Sequence, residues 1–311
     1  MKKRLFSLLG LVLVVIPPAI ARGESSVNVS IDADRGVETC RDVRVRYDER
    51  DAERAENSFT LAAGAAPLSV RLPENSSIRV IGGNGDGFAV TVCKFARLAD
   101  SLEAIHVSAD GPGIAFRGPS SREWMVFLIV HAPRNAALDL EAKNGSIGVK
   151  DVTGRVTART TNGPIDLDGC SGPLDANAVN GPISLERCSG TGAARAVNGP
   201  IDFSGSRGTY KLETKNGPIS VALEGNRWEG GTLDGRAVNG PLNLKISDEY
   251  RSGVRVDMLG HGPVSCPSSV CRSARKQSNE DSRSLEFGDS GSDPVIHLST
   301  ENGPVSVAPA D

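Results

Sequence analysis

The chain has 311 residues, of which 39% are hydrophobic, 4% aromatic and 23% charged, with 35 Gly and 18 Pro. These fractions exclude a collagen, a coiled coil and a wholly disordered chain. Because aromatic residues are few, the core must consist mainly of Val, Ile, Leu and Ala, which favours a thin core. The formal net charge is −3 and no basic face is interleaved with aromatics, so we expect no nucleic-acid partner.

Residues 1–21 have the features of a secretory signal peptide. Three cations at positions 2–4 precede an apolar run over 5–16, and Ala19 and Ala21 place small residues before a cleavage site. A transmembrane anchor is the alternative, but the run is shorter than the ~20 residues that a span needs, and Pro17-Pro18 would break a helix. The sequence therefore predicts an exported protein, periplasmic or extracellular, without a transmembrane anchor in the mature chain.

The next two segments show no regular period. Residues 22–60 are predicted to be an N-terminal extension, in which the charged stretch 48–57 is a short helix or a solvated loop. Residues 61–137 alternate as strands do and are predicted to be irregular β coils that cap the first open edge of the following domain. Within them, 124–130 is a continuous apolar run that is typical of a strand buried on both faces.

An internal repeat governs residues 138–311. Asn-Gly pairs recur 18 residues apart in the first five copies, followed by gaps of 23 and 63 residues, and Pro follows Gly in all copies but the first. A degenerate copy, His261-Gly262-Pro263, divides the longer gap. The Asn residues of the repeat are Asn144, Asn162, Asn180, Asn198, Asn216, Asn239 and Asn302.

Aligning the copies on this Asn produces columns of alternating apolar and polar residues, which is the period-2 pattern of a strand with one buried face. One apolar column contains Ile147, Ile165, Ile183, Ile201, Ile219, Leu242 and Val305. A unit of this length buries its apolar face only by stacking on a copy of itself. The sequence thus predicts an all-β fold, a parallel β-solenoid with coils of about 18 residues, interrupted by a polar insertion at 264–294.

The Asn-Gly corners are predicted to be structural. Asn and Gly both tolerate the backbone conformations of a sharp turn. Stacked Asn side chains can also donate hydrogen bonds to one another from coil to coil, as amide ladders do in cross-β assemblies.

Six Cys in an exported chain predict three disulfides. Cys266 and Cys271 are close enough in sequence to close a small loop. Cys170 and Cys188 share one column on neighbouring coils, where the alternative is a pair of buried free thiols. Cys40 and Cys93 would then pair by elimination. Zinc binding by Cys266, Cys271 and His261 is a further alternative, although its spacing fits no common structural zinc pattern.

Two passages resemble the bacterial putative-adhesin family of exported β-strand repeat proteins. The first is VHAPRNAALDLEAKNGSI at 130–147, and the second is IRVIGGNGD at 78–86. The resemblance covers roughly residues 60–311. It implies the same fold and an adhesin-like role, and it supplies no catalytic residues.

The outward columns offer one arrangement that suits catalysis. Asp166 and Asp202 share a column two coils apart, about 10 Å by strand spacing, a separation that could serve an inverting glycosidase. The four His residues show no metal-ligand spacing, and no phosphate-binding or nucleophile motif occurs. We therefore expect no catalytic residue, metal or cofactor.

The sequence predicts a non-enzymatic binding or scaffold protein of the cell envelope, with a polysaccharide or a protein as its ligand. The alternatives are a carbohydrate-active β-helix enzyme, either a lyase or a glycosidase, and a purely structural envelope component.

Overall fold

The computed structural model describes residues 27–31, 37–120, 123–260, 262–267, 269–279, 282–289 and 295–310. The predicted signal peptide and His261 lie outside these residues. The first described segment forms a small antiparallel sheet, the N-terminal sheet, which carries one short 3-10 helix, Cys40–Asp42. Its strands are β1 (Val27–Ile31), β2 (Val43–Tyr47) and β3 (Arg50–Asp51).

The next segment holds seven strands and one short helix. In chain order these are β4 (Glu53–Ala62), β5 (Leu68–Arg71), β6 (Ser77–Gly83), β7 (Gly87–Ala96), α1 (Ala99–Glu103), β8 (His106–Asp110), β9 (Gly113–Arg117) and β10 (Trp124–Pro133). The predicted domain boundary at residue 60 falls inside β4, and the stretch 48–57, expected as a helix or a loop, contains β3 and part of β4 instead.

The repeat region alternates seven- or eight-residue strands with strands of four or five residues. They are β11 (Leu138–Asn144), β12 (Ile147–Lys150), β13 (Val156–Asn162), β14 (Ile165–Asp168), β15 (Leu174–Asn180), β16 (Ile183–Glu186), β17 (Thr191–Asn198), β18 (Ile201–Gly205), β19 (Thr209–Asn216), β20 (Ile219–Leu223), β21 (Leu233–Asn239) and β22 (Leu242–Ile246).

The C-terminal segment holds six strands and one turn of helix. They are β23 (Val254–Met258), β24 (Val264–Ser265), α2 (Val270–Ser273), β25 (Arg275–Ser278), β26 (Arg283–Phe287), β27 (Ile296–Asn302) and β28 (Val305–Pro309). The predicted polar insertion at 264–294 contains β24, α2, β25 and β26, and the repeat is closed after it by β27 and β28.

Two long sheets face each other across the core and form a parallel β-solenoid, which confirms the predicted fold. Sheet 1 has 12 strands in the order β24-β28-β22-β20-β18-β16-β14-β12-β6-β10-β7-β4. Sheet 2 has 13 strands in the order β25-β26-β23-β27-β21-β19-β17-β15-β13-β11-β5-β9-β8. Each coil contributes one strand to each sheet, and we call such a pair of strands a rung.

Equivalent residues of successive rungs lie next to one another, as the columns predict. Ile165 pairs with Ile183, and Ile183 pairs with Ile201, in parallel register. All three side chains are fully buried. Because burial of one such side chain stabilises a fold by about 1.5–3 kcal/mol, the stacked columns supply most of the driving force for coiling.

The order of the rungs in space departs from their order in the chain at both ends. At the C-terminal end, β27 lies between β21 and β23, and β28 lies between β22 and β24. The last rung of the chain is therefore an interior rung of the solenoid. At the N-terminal end, β10 fills the place between β6 and β7, so the rung β9/β10 lies outside the earlier rung β5/β6.

The turn glycines allow the rungs to approach at the corners. A Cβ atom built on Gly181 would lie 2.0 Å from the carbonyl oxygen of Gly163 on the preceding rung. At the opposite corner, a Cβ atom built on Gly172 would lie 2.1 Å from the carbonyl oxygen of Gly154. No side chain fits at that distance, so glycine at these two positions is a steric requirement of the stack.

An aromatic cluster fills the core where the apolar column is interrupted. Gly192 occupies a position that Leu or Val holds on the preceding rungs, and the ring of Tyr210 on the next rung lies over it. Tyr210 packs on Phe203 with ring centroids 5.0 Å apart, and Phe203 packs on Trp228 at 6.0 Å. The large ring therefore compensates for the missing side chain.

The N-terminal sheet packs on the outer side of sheet 1 at β7 and β10. A second apolar cluster there contains Val43, Val45 and Tyr47 from the N-terminal sheet and Cys93, Phe95, Met125, Phe127 and Ile129 from sheet 1. Since alternate residues of β10 face the solenoid core, this strand is buried on both faces. The continuous apolar run at 124–130 was predicted to have this environment.

Candidate functional site

The seven repeat asparagines form one continuous row of side-chain hydrogen bonds. Asn162 donates through Nδ2 to Oδ1 of Asn144 at 2.7 Å, and Asn180 donates to Asn162 at 2.9 Å. The same contact recurs at 2.8 to 3.0 Å for the donors Asn198, Asn216, Asn239 and Asn302. We call this row the Asn ladder.

An eighth asparagine extends the Asn ladder beyond the repeat. Asn144 donates to Oδ1 of Asn75 at 3.2 Å, although 69 residues separate the two. Sequence reasoning missed Asn75 because Ser76 follows it instead of Gly. The available signal was its place between the strand-like segments 68–72 and 78–80.

The structure contains two of the three predicted disulfides, Cys40–Cys93 and Cys266–Cys271. The first joins the N-terminal sheet to β7. In the second disulfide, the sulfurs of Cys266 and Cys271 are bonded to each other. These two residues are therefore not available as ligands of the zinc site that the sequence offered as an alternative.

The predicted disulfide between Cys170 and Cys188 is wrong, because both are free and buried. The two residues lie at equivalent places, two residues beyond the ends of β14 and β16. Each thiol also contacts a backbone carbonyl: Cys170 Sγ lies 3.7 Å from the oxygen of Val149, and Cys188 Sγ lies 3.4 Å from the oxygen of Leu167.

The outward side of sheet 1 carries a column of small polar residues, which we call the polar face. In spatial order its members are Gly148, Asp166, Ser184, Asp202, Ser220, Asn243 and Ser306. Asp166 and Asp202 are exposed, and the other five residues are half-buried. The polar face therefore presents hydrogen-bonding groups to solvent at the repeat of the rungs.

The two carboxylates of the polar face have raised pKa values. Although Asp166 keeps exposed surface, protein atoms around its carboxyl group desolvate it, and this effect together with the negative charge of Glu186 raises the pKa of Asp166 to about 6, while Arg79 opposes the shift. Burial also raises the pKa of Asp202, against a hydrogen bond from Ser220. The pairings place Ser184 directly between the two acids, so they are separated by two rungs, about 9.6 Å.

On the outward side of sheet 2, most charges are arranged in ion pairs between rungs, whereas beside the polar face of sheet 1 such a pair joins Arg187 and Asp168. Arg195 contacts Asp175 on the preceding rung at 3.1 Å and Glu213 on the following rung at 3.3 Å. Further pairs between rungs on this ion-paired face are Arg71–Glu141, Arg159–Asp139 and Arg236–Glu301, and Lys211–Glu213 forms within one strand.

A buried carboxylate organises the C-terminal end of the ion-paired face. Arg255 Nε lies 2.9 Å from Asp257 Oδ2, His297 Nε2 lies 2.8 Å from the same oxygen, and Ser284 donates to Oδ1. Burial alone would raise the pKa of Asp257, but hydrogen bonds from these three residues outweigh it and hold the pKa well below its usual range. The bond to Asp257 raises the pKa of His297. Sequence reasoning missed this cluster, because its residues lie on three strands that are distant in the chain.

Within the described ranges, no three His, Cys, Asp or Glu side chains are grouped so that they could hold a metal ion. The helices of that part of the chain are also too short or too polar to cross a membrane.

No family model and no curated protein matches the chain. Among solved structures, it is similar to a putative adhesin from Parabacteroides distasonis, with 11% identity, a TM-score of 0.39, and 82% of this chain and 97% of that chain covered. A putative adhesin from Bacteroides fragilis has 9% identity and a TM-score of 0.36, with 83% and 97% covered. A putative cell adhesion protein from Clostridium sporogenes has 10% identity and a TM-score of 0.23, with 83% and 100% covered. At these scores the names describe those proteins and are not carried over to this chain.

Proposed function

We propose that the chain is an exported, non-enzymatic β-solenoid that acts as an adhesin-like binding or scaffold protein of the cell envelope. The observation that carries this proposal is the polar face, a straight file of small polar residues on sheet 1. Its seven positions, one per rung, extend over about 29 Å at the strand spacing of about 4.8 Å. A surface of this shape suits an elongated polar ligand that lies along the solenoid axis, such as a polysaccharide chain.

The contrast between the two outward faces supports the assignment of binding to sheet 1. On the ion-paired face, Arg195 and its equivalents already bind carboxylates of neighbouring rungs. A ligand there would have to displace these contacts. On the polar face, Asp166 and Asp202 are exposed, and the hydroxyl of Ser184 lies between them.

The disulfides support the proposal of export. Cys40–Cys93 and Cys266–Cys271 are of the kind that persists in oxidising compartments outside the cytosol. A solenoid stapled in this way is suited to the periplasm or the cell surface.

The binding proposal is tested with immobilised neutral, acidic and amino polysaccharides, on which binding and release of reducing ends are measured together. We expect binding without release. Ser184→Arg places a long side chain on the polar face and should abolish binding. Thr157→Arg introduces the same side chain at a half-buried position of the ion-paired face, between Asp139 and Asp175, and should leave binding unchanged.

Each of the other outcomes counts against the proposal. Equal loss of binding in the two variants would place the ligand elsewhere. Failure of the unsubstituted chain to bind any member of the panel would favour a purely structural envelope component.

The raised pKa of Asp166 favours one second candidate, a carbohydrate-active enzyme. The separation from Asp202, about 9.6 Å, is close to the upper end of the range for inverting glycosidases. Such an enzyme needs one protonated acid and one ionised base, whereas the pKa values of both carboxyl groups are raised. Release of reducing ends that is lost in both Asp166→Asn and Asp202→Asn would establish this candidate.

A further inference from the structure

The chain contains eight Asn-Gly pairs, and the fold separates one of them from the rest. Seven belong to the Asn ladder. The eighth, Asn84-Gly85, lies in the turn between β6 and β7, where both residues are exposed. Identical dipeptides therefore occur in two different environments within one molecule.

Asn-Gly is the dipeptide most prone to spontaneous deamidation, because glycine has no side chain to shield its backbone nitrogen. That nitrogen attacks the Asn side-chain carbonyl carbon, Cγ. The new N–C bond closes a five-membered succinimide, and the side-chain nitrogen leaves as ammonia. Water then opens the ring at either carbonyl and gives Asp or isoaspartate. The reaction requires no reagent other than water, and it requires that the Asn side chain and the next peptide can rotate toward each other.

The solenoid opposes this rotation at the Asn ladder. The attacking nitrogen of Gly163 donates to the carbonyl oxygen of Asn180 at 3.1 Å. The side-chain amide of Asn162 is held separately, since it donates to Asn144 and accepts from Asn180. Closure of the ring would break hydrogen bonds to both neighbouring rungs.

The same backbone contact recurs along the ladder. Gly181, Gly199, Gly217 and Gly240 each donate to the carbonyl oxygen of the Asn on the following rung, at 3.0 to 3.1 Å.

Asn84 lacks these restraints. Within the part of the chain that the structure describes, neither its side chain nor the Gly85 N–H makes a hydrogen bond, and a Cβ atom built on Gly85 would have no atom closer than 3.7 Å. We propose that Asn84 is a spontaneous modification site of the folded protein, which converts to aspartate and isoaspartate with age, while the stack protects the seven ladder residues from the same reaction.

The proposal has opposite consequences in the two environments. At Asn84, the product adds a negative charge beside Asp86 in a solvent-exposed turn that can accommodate it. In the ladder, an aspartate side chain could accept but not donate at neutral pH, so one converted residue would leave the Oδ1 of the Asn on the preceding rung without its donor. Protection of the ladder therefore preserves the fold, whereas the fraction of Asn84 that is deamidated increases with the age of the molecule.

The test is incubation of the folded, full chain in mildly alkaline buffer, followed by peptide mapping with mass spectrometry. Deamidation adds about 1 Da to the peptide that carries it. Deamidation of a ladder asparagine requires local unfolding of its rung. We therefore expect Asn84 to deamidate at least about tenfold faster than any ladder asparagine. Asn180-Gly181 is the internal control with both restraints, since its side chain and the following glycine N–H are hydrogen-bonded to neighbouring rungs. Asn144-Gly145 is the control that matches Asn84-Gly85 in having no Pro after the glycine, and its side chain is held by Asn75 and Asn162.

Two controls separate the effect of the fold from that of the sequence. In urea, all eight pairs should convert at comparable rates, so that the advantage of Asn84 is lost. In the folded chain, Gly85→Ala should slow the conversion of Asn84, because its methyl group shields the attacking nitrogen. The proposal would be overturned if Asn84 stayed intact in the folded chain but deamidated in urea. Conversion of Asn144 in the folded chain at the rate of Asn84 would equally overturn it.

Discussion

The middle of the solenoid and its two ends follow different rules. Between β11 and β22, the order of the rungs in space is their order in the chain. Only the outermost rungs of this run have a neighbour that is not adjacent in sequence, since β11 pairs with β5 and β21 pairs with β27. At each end, a later segment enters between two earlier ones: β10 between β6 and β7, and β27 between β21 and β23. The repeat therefore determines how rungs stack, while the long connections determine where the terminal rungs lie.

The largest effect is expected from removal of residues 295–311. This truncation deletes an interior rung, so that β23 and β24 lose their parallel neighbours. The buried side chains of Ile296, Leu298, Val305 and Val307 are lost with it, about 6–12 kcal/mol of apolar burial, as much as the whole stability of many domains. Hydrogen exchange should show loss of protection at 254–289. Removal of Ala310 and Asp311 alone should leave that protection intact, and an unchanged melting curve after the longer deletion would refute the interior position of the rung.

In the middle of the solenoid, the largest effect is expected at Tyr210. Tyr210→Ala should cost about 3–5 kcal/mol in urea unfolding, because the ring also covers Gly192. Tyr210→Phe is the matched control and should be neutral or stabilising, since the buried hydroxyl has no hydrogen-bond partner among the described residues. Gly192→Val should be destabilising alone but much less so together with Tyr210→Ala. Additive effects of the two substitutions would contradict the packing described.

The Asn ladder is expected to contribute less. Asn180→Ala removes one donated and one accepted hydrogen bond and should lower the free energy of unfolding by about 1–3 kcal/mol. Asn177 lies on the same strand, and among the described residues its amide bonds only to Asp175, two residues away. Asn177→Ala should therefore change stability by a few tenths of a kcal/mol. Equal melting temperatures for the two variants would show that the Asn ladder does not stabilise the fold.

The smallest effect is expected at the C-terminal end. The pKa of His297 is raised by Asp257, so its contribution is full below the unfolded pKa of about 6.5 and disappears as the pH rises through the higher folded value. Asp234 also raises the pKa of His297, whereas Arg255 lowers it. Because the His297 side chain is 45% exposed, we expect a change of about 0.5 kcal/mol or less. His297→Gln should remove this dependence in urea unfolding between about pH 5.5 and pH 8; its persistence would assign the effect to other groups.

The sequence was sufficient for the rungs because their information is local and repeated. Ile165, Ile183 and Ile201 occupy equivalent places in copies of equal length, so their stacking follows from the period alone. The outward positions of Asp166 and Asp202 follow from the same alternation.

The other features of the fold and of the candidate site depend on contacts between residues that the 18-residue repeat does not relate to one another. Asn75 joins the ladder across 69 residues and without the following glycine. Asp257 gathers partners from β23, β26 and β27, which meet only because the C-terminal rung enters between earlier ones. For Cys170 and Cys188, the repeat places the two residues in one column, but it does not determine whether the sulfurs are bonded, and both thiols are free and buried.

The reversed rungs at both ends also restrict how the gene can change in length. A duplication or deletion of 18 residues between 138 and 246 would add or remove one rung whose neighbours are equivalent on both sides. A duplication or deletion in either terminal segment would prevent β10 or β27 from pairing with the strands on its two sides. Variation in the number of coils among descendants of this sequence should therefore be confined to the central run, with the two closures inherited as fixed units.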